Sequence, residues 1–472
     1  VDEAIKSAMN SFGLKSLRPG QEQIVQAVLA GRDVLGVLPT GGGKTLCYQL
    51  PAAITGGLTV VVEPLLALMR DQVLRLQGLG AKNVVALNST LDAQTINSIL
   101  AQLERLNFVF IAPEMLQRSD VQIALRRVHV QLLVVDEAHC IFQWGPDFRP
   151  AYLQLGRVRQ QIQPRSVLAL TATASAPIRS EIVRQLRLNQ PTEVVLSVDR
   201  PNLFIGVERE LTPADVTARV LSLLGQVQGA TVIYCPTRKQ TENLAAKIAT
   251  KTGRRTAFYH AELDVHTRTL RERQFTAGEL EVMCATSAFG MGVDKPDIRL
   301  VIYLGVPQTL TDYYQAIGRA GRDGQPAVTA LLYTPNDLQR AVQFAAALPS
   351  PALIDAVYGN PQAYANTADP QLQLVTSYQH LGFPKAEVSR QLTDRLTVRA
   401  KGVQQVARFL QTEGCFRAAL MEQFDSSARV HDDTCCGVVT SDIQGQNAVN
   451  LTKYNEFNDW HDVFKEIFMN YG

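Results

Sequence analysis

Pro39-Thr40-Gly41-Gly42-Gly43-Lys44-Thr45 sets three consecutive glycines before a lysine and a hydroxyl, directly after an apolar run. Glycines let backbone N–H groups turn toward phosphate oxygens, and a helix opening behind them adds positive partial charge. Thr40, Gly41, Gly42 and Gly43 are the candidate cradle; Lys44 would reach the terminal phosphates and the Thr45 hydroxyl would ligate Mg2+. The strict phosphate-loop pattern asks for glycine where Leu38 stands, a departure that leaves the rest of the string intact. Downstream, Val134-Val135-Asp136-Glu137-Ala138-His139 sets two carboxylates at the end of another apolar run. Asp136 is suited to hold Mg2+ through water, and Glu137 to polarise an attacking water as general base. His139 has two readings: a sensor of the γ-phosphate or of nucleic acid, and a histidine packed at an interlobe face. In the second half, Tyr313-Tyr314-Gln315-Ala316-Ile317-Gly318-Arg319-Ala320-Gly321-Arg322 carries two arginines three residues apart, expected on one face of a helical turn. Gln315, Arg319 and Arg322 join the catalytic candidates. The arginines are suited to stabilise charge on a transferring phosphoryl group, so hydrolysis would wait on lobe closure.

These groups need rigid strand ends to present them. The chain has 472 residues, enough for about three domains, and 46% of them are hydrophobic, enough for large cores. Candidate strands are Asp33–Leu38, Leu58–Val62, Val84–Leu87, Phe108–Ile111, Leu132–Val135 and Val167–Leu170. A second set comprises Ala230–Tyr234, Thr256–Tyr259, Val282–Ala285, Leu300–Tyr303 and Val328–Leu332. Strands alternating with helical segments imply α/β lobes with parallel sheets covered on both faces. Ligands of such sheets sit beyond the strand C-termini, where the motifs fall. The expected divisions are 1–196 and 197–340 as tandem α/β lobes, then a helical region 341–443 and a tail 444–472. Helices are expected at Ala341–Leu348 and Lys401–Leu410, while the tail carries no readable motif. Lys+Arg total 46 against Asp+Glu 44, a net charge of +2, so any nucleic-acid surface must be a local groove.

Further strings complete a pattern: Leu17-Arg18-Pro19-Gly20-Gln21, EPLLALMRDQV at 63–73, APE at 112–114, LTATA at 170–174, RPNL at 200–203, YCPTRK at 234–239 and FGMGVDKPDIR at 289–299. In order and spacing over about residues 8–335, the chain resembles the RecQ family of superfamily 2 DNA helicases. The resemblance implies two tandem RecA-like lobes followed by a helical, degenerate zinc-binding-like region, ATP and Mg2+ as cofactors, 3′→5′ translocation on single-stranded DNA, forked DNA as substrate, and a role in repair and recombination. It assigns Arg18 and Gln21 to the adenine. It also likens CIFQWGPDFRPAY at 140–152 to the family's aromatic-rich coupling loop. There Trp144 and Phe148 can stack on bases, and Arg149 can contact phosphate or the other lobe. The other reading has the aromatics anchoring the loop into its own lobe. Phe142 and Pro146 replace the serine and histidine usual in the family.

The family's four-cysteine zinc site is only partly matched. Cys415 and Cys436 stand for two ligands, while Val439 and Asp442 occupy the other two positions. Cys435, His431, Asp432 and Asp433 lie close by and could substitute, but adjacent cysteines rarely share one tetrahedral zinc, so a metal-free helical platform is expected, with Zn2+ on Cys415, Cys435 and Cys436 as the alternative. Val1–Asn10 lacks an apolar signal core, and the apolar stretch Leu58–Met69 is interrupted by Glu63 and Pro64. The expected location is cytoplasmic, on the nucleoid in a bacterium, with no membrane partner and protein partners unreadable. Against the helicase stand an annealing or remodelling factor with weakly coupled ATPase, and an RNA helicase, which the aromatic-rich loop and the FGMGVDKPD string disfavour.

Overall fold

The structure is a computed structural model that describes residues 3–78, 80–143, 145–147, 149–210, 212–290, 295–365 and 367–439. The chain divides into two compact units: 1–198 with 348–395, and 199–347 with 396 onward. The described part of 341–443 is therefore shared between them. Each unit is built on a seven-stranded sheet among the described residues, and every pairing is parallel.

The first sheet contains β1 Val34–Val37, β2 Thr59–Val62, β3 Val84–Leu87, β4 Phe108–Ile111, β5 Leu132–Val135, β6 Ser166–Thr171 and β7 Thr192–Val195, ordered β3-β4-β2-β5-β6-β1-β7. β1, β2, β4 and β5 are buried along their whole length, as runs such as Leu-Leu-Val-Val require when helices cover both faces. β6 lies between β5 and β1, so the loops after all three open at one sheet edge. The half-exposed edge strand β7 is absent from the sequence reading, because Thr-Glu-Val-Val lacks a continuous apolar signal. In this unit, 348–395 contributes helices Pro351–Gly359 and Pro370–His380 and the first part of Lys385–Leu410, packed around Ile354, Val357, Val375, Tyr378 and Val388.

The second sheet contains β8 Leu203–Arg209, β9 Ala230–Tyr234, β10 Thr256–Tyr259, β11 Val282–Ala285, β12 Ile298–Leu304, β13 Ala327–Tyr333 and β14 Cys436–Gly437, ordered β10-β11-β9-β12-β13-β8-β14. The two-residue β14 brings the cysteine-rich segment onto the sheet edge, pairing Cys436 with Ile205. The helix expected at 401–410 is the end of a longer one, Lys385–Leu410, and the one expected at 341–348 both starts and stops earlier, as Pro335–Ala346. They pack Leu338, Ala341, Val342 and Ala345 against Val403 and Ala407 in the second unit.

Candidate nucleotide site and cysteine cluster

The phosphate loop leaves β1 and enters the helix Leu46–Thr55, with Thr45 at the N-cap. Gly43 has φ +75°, and a Cβ there would lie 2.5 Å from the Gln21 amide nitrogen, so only glycine fits. Gln21 Nε2 donates to the Gly42 and Gly43 carbonyls at 3.0 Å, its Oε1 accepts from the Arg18 N–H at 2.8 Å, and the Arg18 guanidinium donates to the Gly41 carbonyl. Arg18 and Gln21 thus brace the cradle from outside.

Lys44 Nζ lies 2.9 Å from Glu137 Oε1 and 4.0 Å from Asp136 Oδ1. Burial works to lower the Lys44 pKa, but the Glu137 and Asp136 carboxylates outweigh it and leave it raised. Burial pushes the Asp136 carboxyl up to about 6, with Lys44 opposing and Glu137 adding to the rise. Glu63, which follows β2 as Asp136 follows the adjacent β5, is buried too. Burial, then Asp136 and Glu137, hold its carboxyl well above the usual range. Three carboxyls around one ammonium make a corner short of positive charge, the setting in which a divalent cation fits. Glu63 was missed as a site residue; its signal is a lone carboxylate ending an apolar strand beside the one that ends in Asp136. Glu137 itself sits at φ +47°, a conformation uncommon for a non-glycine residue, at the turn after β5.

His139 is 2% exposed, and its Nδ1 lies 2.9 Å from the Thr171 hydroxyl and 3.3 Å from Glu137 Oε2. Burial pushes its pKa down to about 4 against the pull of Glu137, so the ring is neutral at pH 7. His139 therefore links the end of β5 to the end of β6 inside the first unit, and its Nε2 lies 3.7 Å from the Cys140 sulfur.

In the coupling loop, Trp144 and Phe148 lie outside the described residues. Arg149 is not free for phosphate: it makes a two-pronged pair with Glu114 and donates to the Pro64 carbonyl, tying the loop to the segments after β2 and β4. The helical part of the same unit grips the loop from its other side. Tyr378 Oη donates to the Pro146 carbonyl at 3.1 Å, and Arg395 pairs with Asp147 at 2.6 Å while lying over the Phe142 ring.

In the second unit the arginines are not on a helix, contrary to expectation. The helix Leu310–Ile317 carries Gln315 and ends two residues short of Arg319, and both Arg319 and Arg322 project from the following turn. Arg319 donates to the Gly290 carbonyl.

The cysteine cluster departs most from expectation. Cys415, His431, Cys435 and Cys436 offer ligand atoms within 4.8 Å of one another. Cys415 Sγ is 3.7 Å from Cys435 Sγ and 3.6 Å from Cys436 Sγ, and Cys436 Sγ is 3.9 Å from His431 Nδ1. Tetrahedral zinc with Zn–S bonds of about 2.3 Å needs sulfur separations of about 3.8 Å. The donor set fits, and the adjacent cysteines both face Cys415. Burial pushes the Cys435 thiol up and the Cys436 thiol to about 12, so a cation would have to supply the charge that turns these two into thiolates. Val439 is no ligand: it is packed in the core, and its backbone bonds Glu208 and Arg219. Asp442 lies outside the described residues. His431, which the sequence offered as a substitute ligand beside Asp432 and Asp433, is the fourth donor of the set.

Comparisons with known proteins place these features. Residues 18–180 match the DEAD/DEAH box helicase family and residues 215–324 the helicase conserved C-terminal domain. Over 476 aligned residues the chain is 37% identical to the probable ATP-dependent DNA helicase RecS of Bacillus subtilis (strain 168), covering 97% of this chain and 96% of that protein. The ATP-dependent DNA helicase RecQ of Pasteurella multocida (strain Pm70) is 38% identical over 69% of this chain, which spans 51% of that longer protein. The chain belongs to the RecQ family. It is an ATP-dependent DNA helicase. Among solved structures, Mss116p bound to ssRNA and AMP-PNP shares the fold with a TM-score of 0.59 at 19% identity, covering 91% of this chain and 95% of that one. Mycobacterium smegmatis helicase Lhr bound to ssDNA and AMP-PNP shares it at 0.58 and 20%, covering 83% of this chain and 57% of that one. At these identities the likeness speaks for the fold alone. This RecQ-family chain carries the nucleotide corner at strand ends of the first unit and the arginine turn in the second.

Proposed function

We propose that this helicase couples MgATP hydrolysis to 3′→5′ movement along single-stranded DNA and opens forked duplexes in repair and recombination. The observation that carries the chemistry is the corner formed by Lys44, Asp136 and Glu137 beside the glycine cradle. In this reading Lys44 leaves Glu137 for the terminal phosphates when nucleotide binds, and the freed Glu137 accepts a proton from the attacking water. Thr45 and Asp136 would hold Mg2+, which would supply positive charge against the phosphates. Arg319 and Arg322 stabilise the charge of the transferring group, while Arg18 and Gln21 stiffen the cradle and face the adenine. Trp144 and Phe148 stack on bases, and Arg149 relays loop movement to the Pro64 and Glu114 segments rather than holding phosphate. Cys415, His431, Cys435 and Cys436 would hold Zn2+, which would staple the cysteine segment together beside β8. The polarity and the repair role rest on family membership. Strand separation is the test, on partial duplexes carrying a 3′ or a 5′ tail. Unwinding from the 3′ tail alone is expected. Unwinding from the 5′ tail would reverse the polarity, and DNA-stimulated ATPase with no strand separation would favour an annealing or remodelling factor.

A further inference from the structure

The arginine turn poses a mechanical problem. Gly318-Arg319-Ala320-Gly321-Arg322 follows the last turn of the helix Leu310–Ile317, where backbone carbonyls have no helical partner. Two glycines in five residues leave it intrinsically loose, yet placing a charge at a reacting phosphoryl group demands sub-ångström constancy. The side chain that meets this demand comes from a distant part of the sequence. Arg200 donates to three carbonyls of the turn: Gly318 at 3.3 Å, Ala320 at 3.1 Å and Gly321 at 2.6 Å. Asn202 adds bonds to Gly321 at 2.9 Å and to Gln325 at 2.8 Å. Gly321 has φ +54°, and a Cβ there would lie 2.5 Å from Asn202 Nδ2, so clamp and turn are fitted to each other.

We propose that Arg200 is a positioning residue for ATP hydrolysis, clamping the backbone of the arginine turn so that Arg319 and Arg322 project in fixed directions. Among the described residues no carboxylate pairs with Arg200, and burial lowers its pKa. A half-buried guanidinium devoted to carbonyls is unfavourable unless those carbonyls need holding. The fork suits the task, because one planar group can span several acceptors where an ammonium cannot, and a cation at a helix C-terminus also complements its dipole. The clamp is itself anchored. Arg417, fully buried, donates to the Arg200 carbonyl at 2.9 Å, pairs with Asp199 at 2.6 Å and donates to Cys435 Sγ at 3.2 Å. Asp199 also accepts from the Arg429 N–H at 2.8 Å. Arg200 is therefore tied at its backbone to the cysteine cluster and at its side chain to the arginine turn. The Arg299–Asp323 pair at 2.6 Å steadies the far end of the turn, but it does not touch the carbonyls around Arg319.

This proposal rests on the reading of Arg319 and Arg322 as groups that act on the phosphoryl transfer. The test uses the full chain with saturating single-stranded DNA and measures kcat and KM for ATP in Arg200→Ala, Arg200→Lys, Arg322→Ala and the double variant Arg200→Ala/Arg322→Ala. Affinity for a non-hydrolysable ATP analogue and thermal midpoint are measured alongside. Arg200→Ala is expected to lower kcat ~10–100-fold with KM and analogue affinity nearly unchanged. Arg200→Lys, which keeps charge and fold, should lose about tenfold. The double variant should fall by less than the product of the two single losses, because only Arg319 is left for the clamp to position. A kcat near wild type in both Arg200 variants, beside a strong loss in Arg322→Ala, would overturn the proposal and leave the arginine reading standing. Multiplying losses in the double variant would also overturn it, since they would give Arg200 a separate role. A wild-type kcat in Arg322→Ala would remove the arginine reading itself and this proposal with it. If Arg200→Ala does not fold, Arg200→Lys and Asn202→Ala carry the same expectations at smaller size.

Discussion

In the first unit the reactive side chains hold one another. Lys44 is paired with Glu137 and close to Asp136, and His139 bridges Glu137 and Thr171. In the second unit the reactive guanidiniums stand on a turn whose backbone is held by other residues, Arg200 and Asn202. The first arrangement is an electrostatic imbalance that a nucleotide and its metal would complete; the second is a mould. An imbalance of charge is sensitive to proton and cation concentration, whereas a mould is sensitive to shape. The two halves of the machinery should therefore fail in different ways.

The largest effects should come from the electrostatic corner. Glu137→Gln removes the proton acceptor but keeps the shape, so kcat should fall by ~10²–10⁴-fold with ATP binding retained. Lys44→Ala should lose ~10²–10³-fold, as expected for one lost donor to developing charge, without loss of fold. Normal turnover in either folded variant would remove its residue from the assigned role.

The mould depends on the cysteine cluster, because Arg417 joins Cys435 to the Arg200 backbone. Purified chain should contain one zinc, lost in Cys415→Ser, and chelation should lower the thermal midpoint by ~5 °C or more. Metal-free chain with an unchanged midpoint on chelation would show that the four donors are held by packing alone.

Proton competition at the corner gives a smaller effect. Asp136 has its carboxyl pushed up to about 6. As pH falls through that value the group takes a proton and loses its capacity for Mg2+; above it the carboxylate is free. The Mg2+ concentration needed for half-maximal ATPase should be flat above pH ~7 and rise by up to about tenfold per unit below pH ~6. A requirement that stays constant from pH ~7 down to ~5 would mean that the carboxylate is ionised throughout, or is not a metal contact.

What was legible in the sequence follows the same division. The glycine cradle, Asp136-Glu137 and the arginines could be read because their chemistry resides in side-chain types at fixed spacing. All eleven expected strands are present, most of them because apolar runs rich in Val, Ile and Leu are what a two-sided parallel sheet requires. Arg200 as a clamp was not legible. Its acceptors are backbone carbonyls, which every residue has, so only the fold reveals which are in reach. The same holds for Arg149, whose charge suggests phosphate until Glu114 and the Pro64 carbonyl are seen to meet it. At the cysteine cluster sequence adjacency argued against shared ligation by Cys435 and Cys436, and only the fold reveals where their sulfurs point. The turn at 433–435 running into β14 places both sulfurs near Cys415.

The smallest expected effect concerns the coupling loop, which combines both principles. It is gripped through the Pro146 backbone by Tyr378 and through the Asp147 charge by Arg395. Pro146 lacks an N–H and has its φ restricted near −65°, so the loop is already partly fixed by covalent geometry. Tyr378→Phe removes one neutral hydrogen bond, worth about 1 kcal/mol, and leaves the ring in its contact with Phe383. Basal ATPase should therefore be unchanged, because nothing in the Lys44 corner is touched. DNA stimulation of ATPase, measured against single-stranded DNA concentration at fixed salt, should change by less than about fivefold. Arg395→Met removes the ion pair together with a bond to the Gln143 carbonyl, and should reduce the stimulation further. If Tyr378→Phe abolished stimulation while Arg395→Met left it intact, the loop would be governed by its backbone bond alone, and the charge at Asp147 would have no part in reporting DNA.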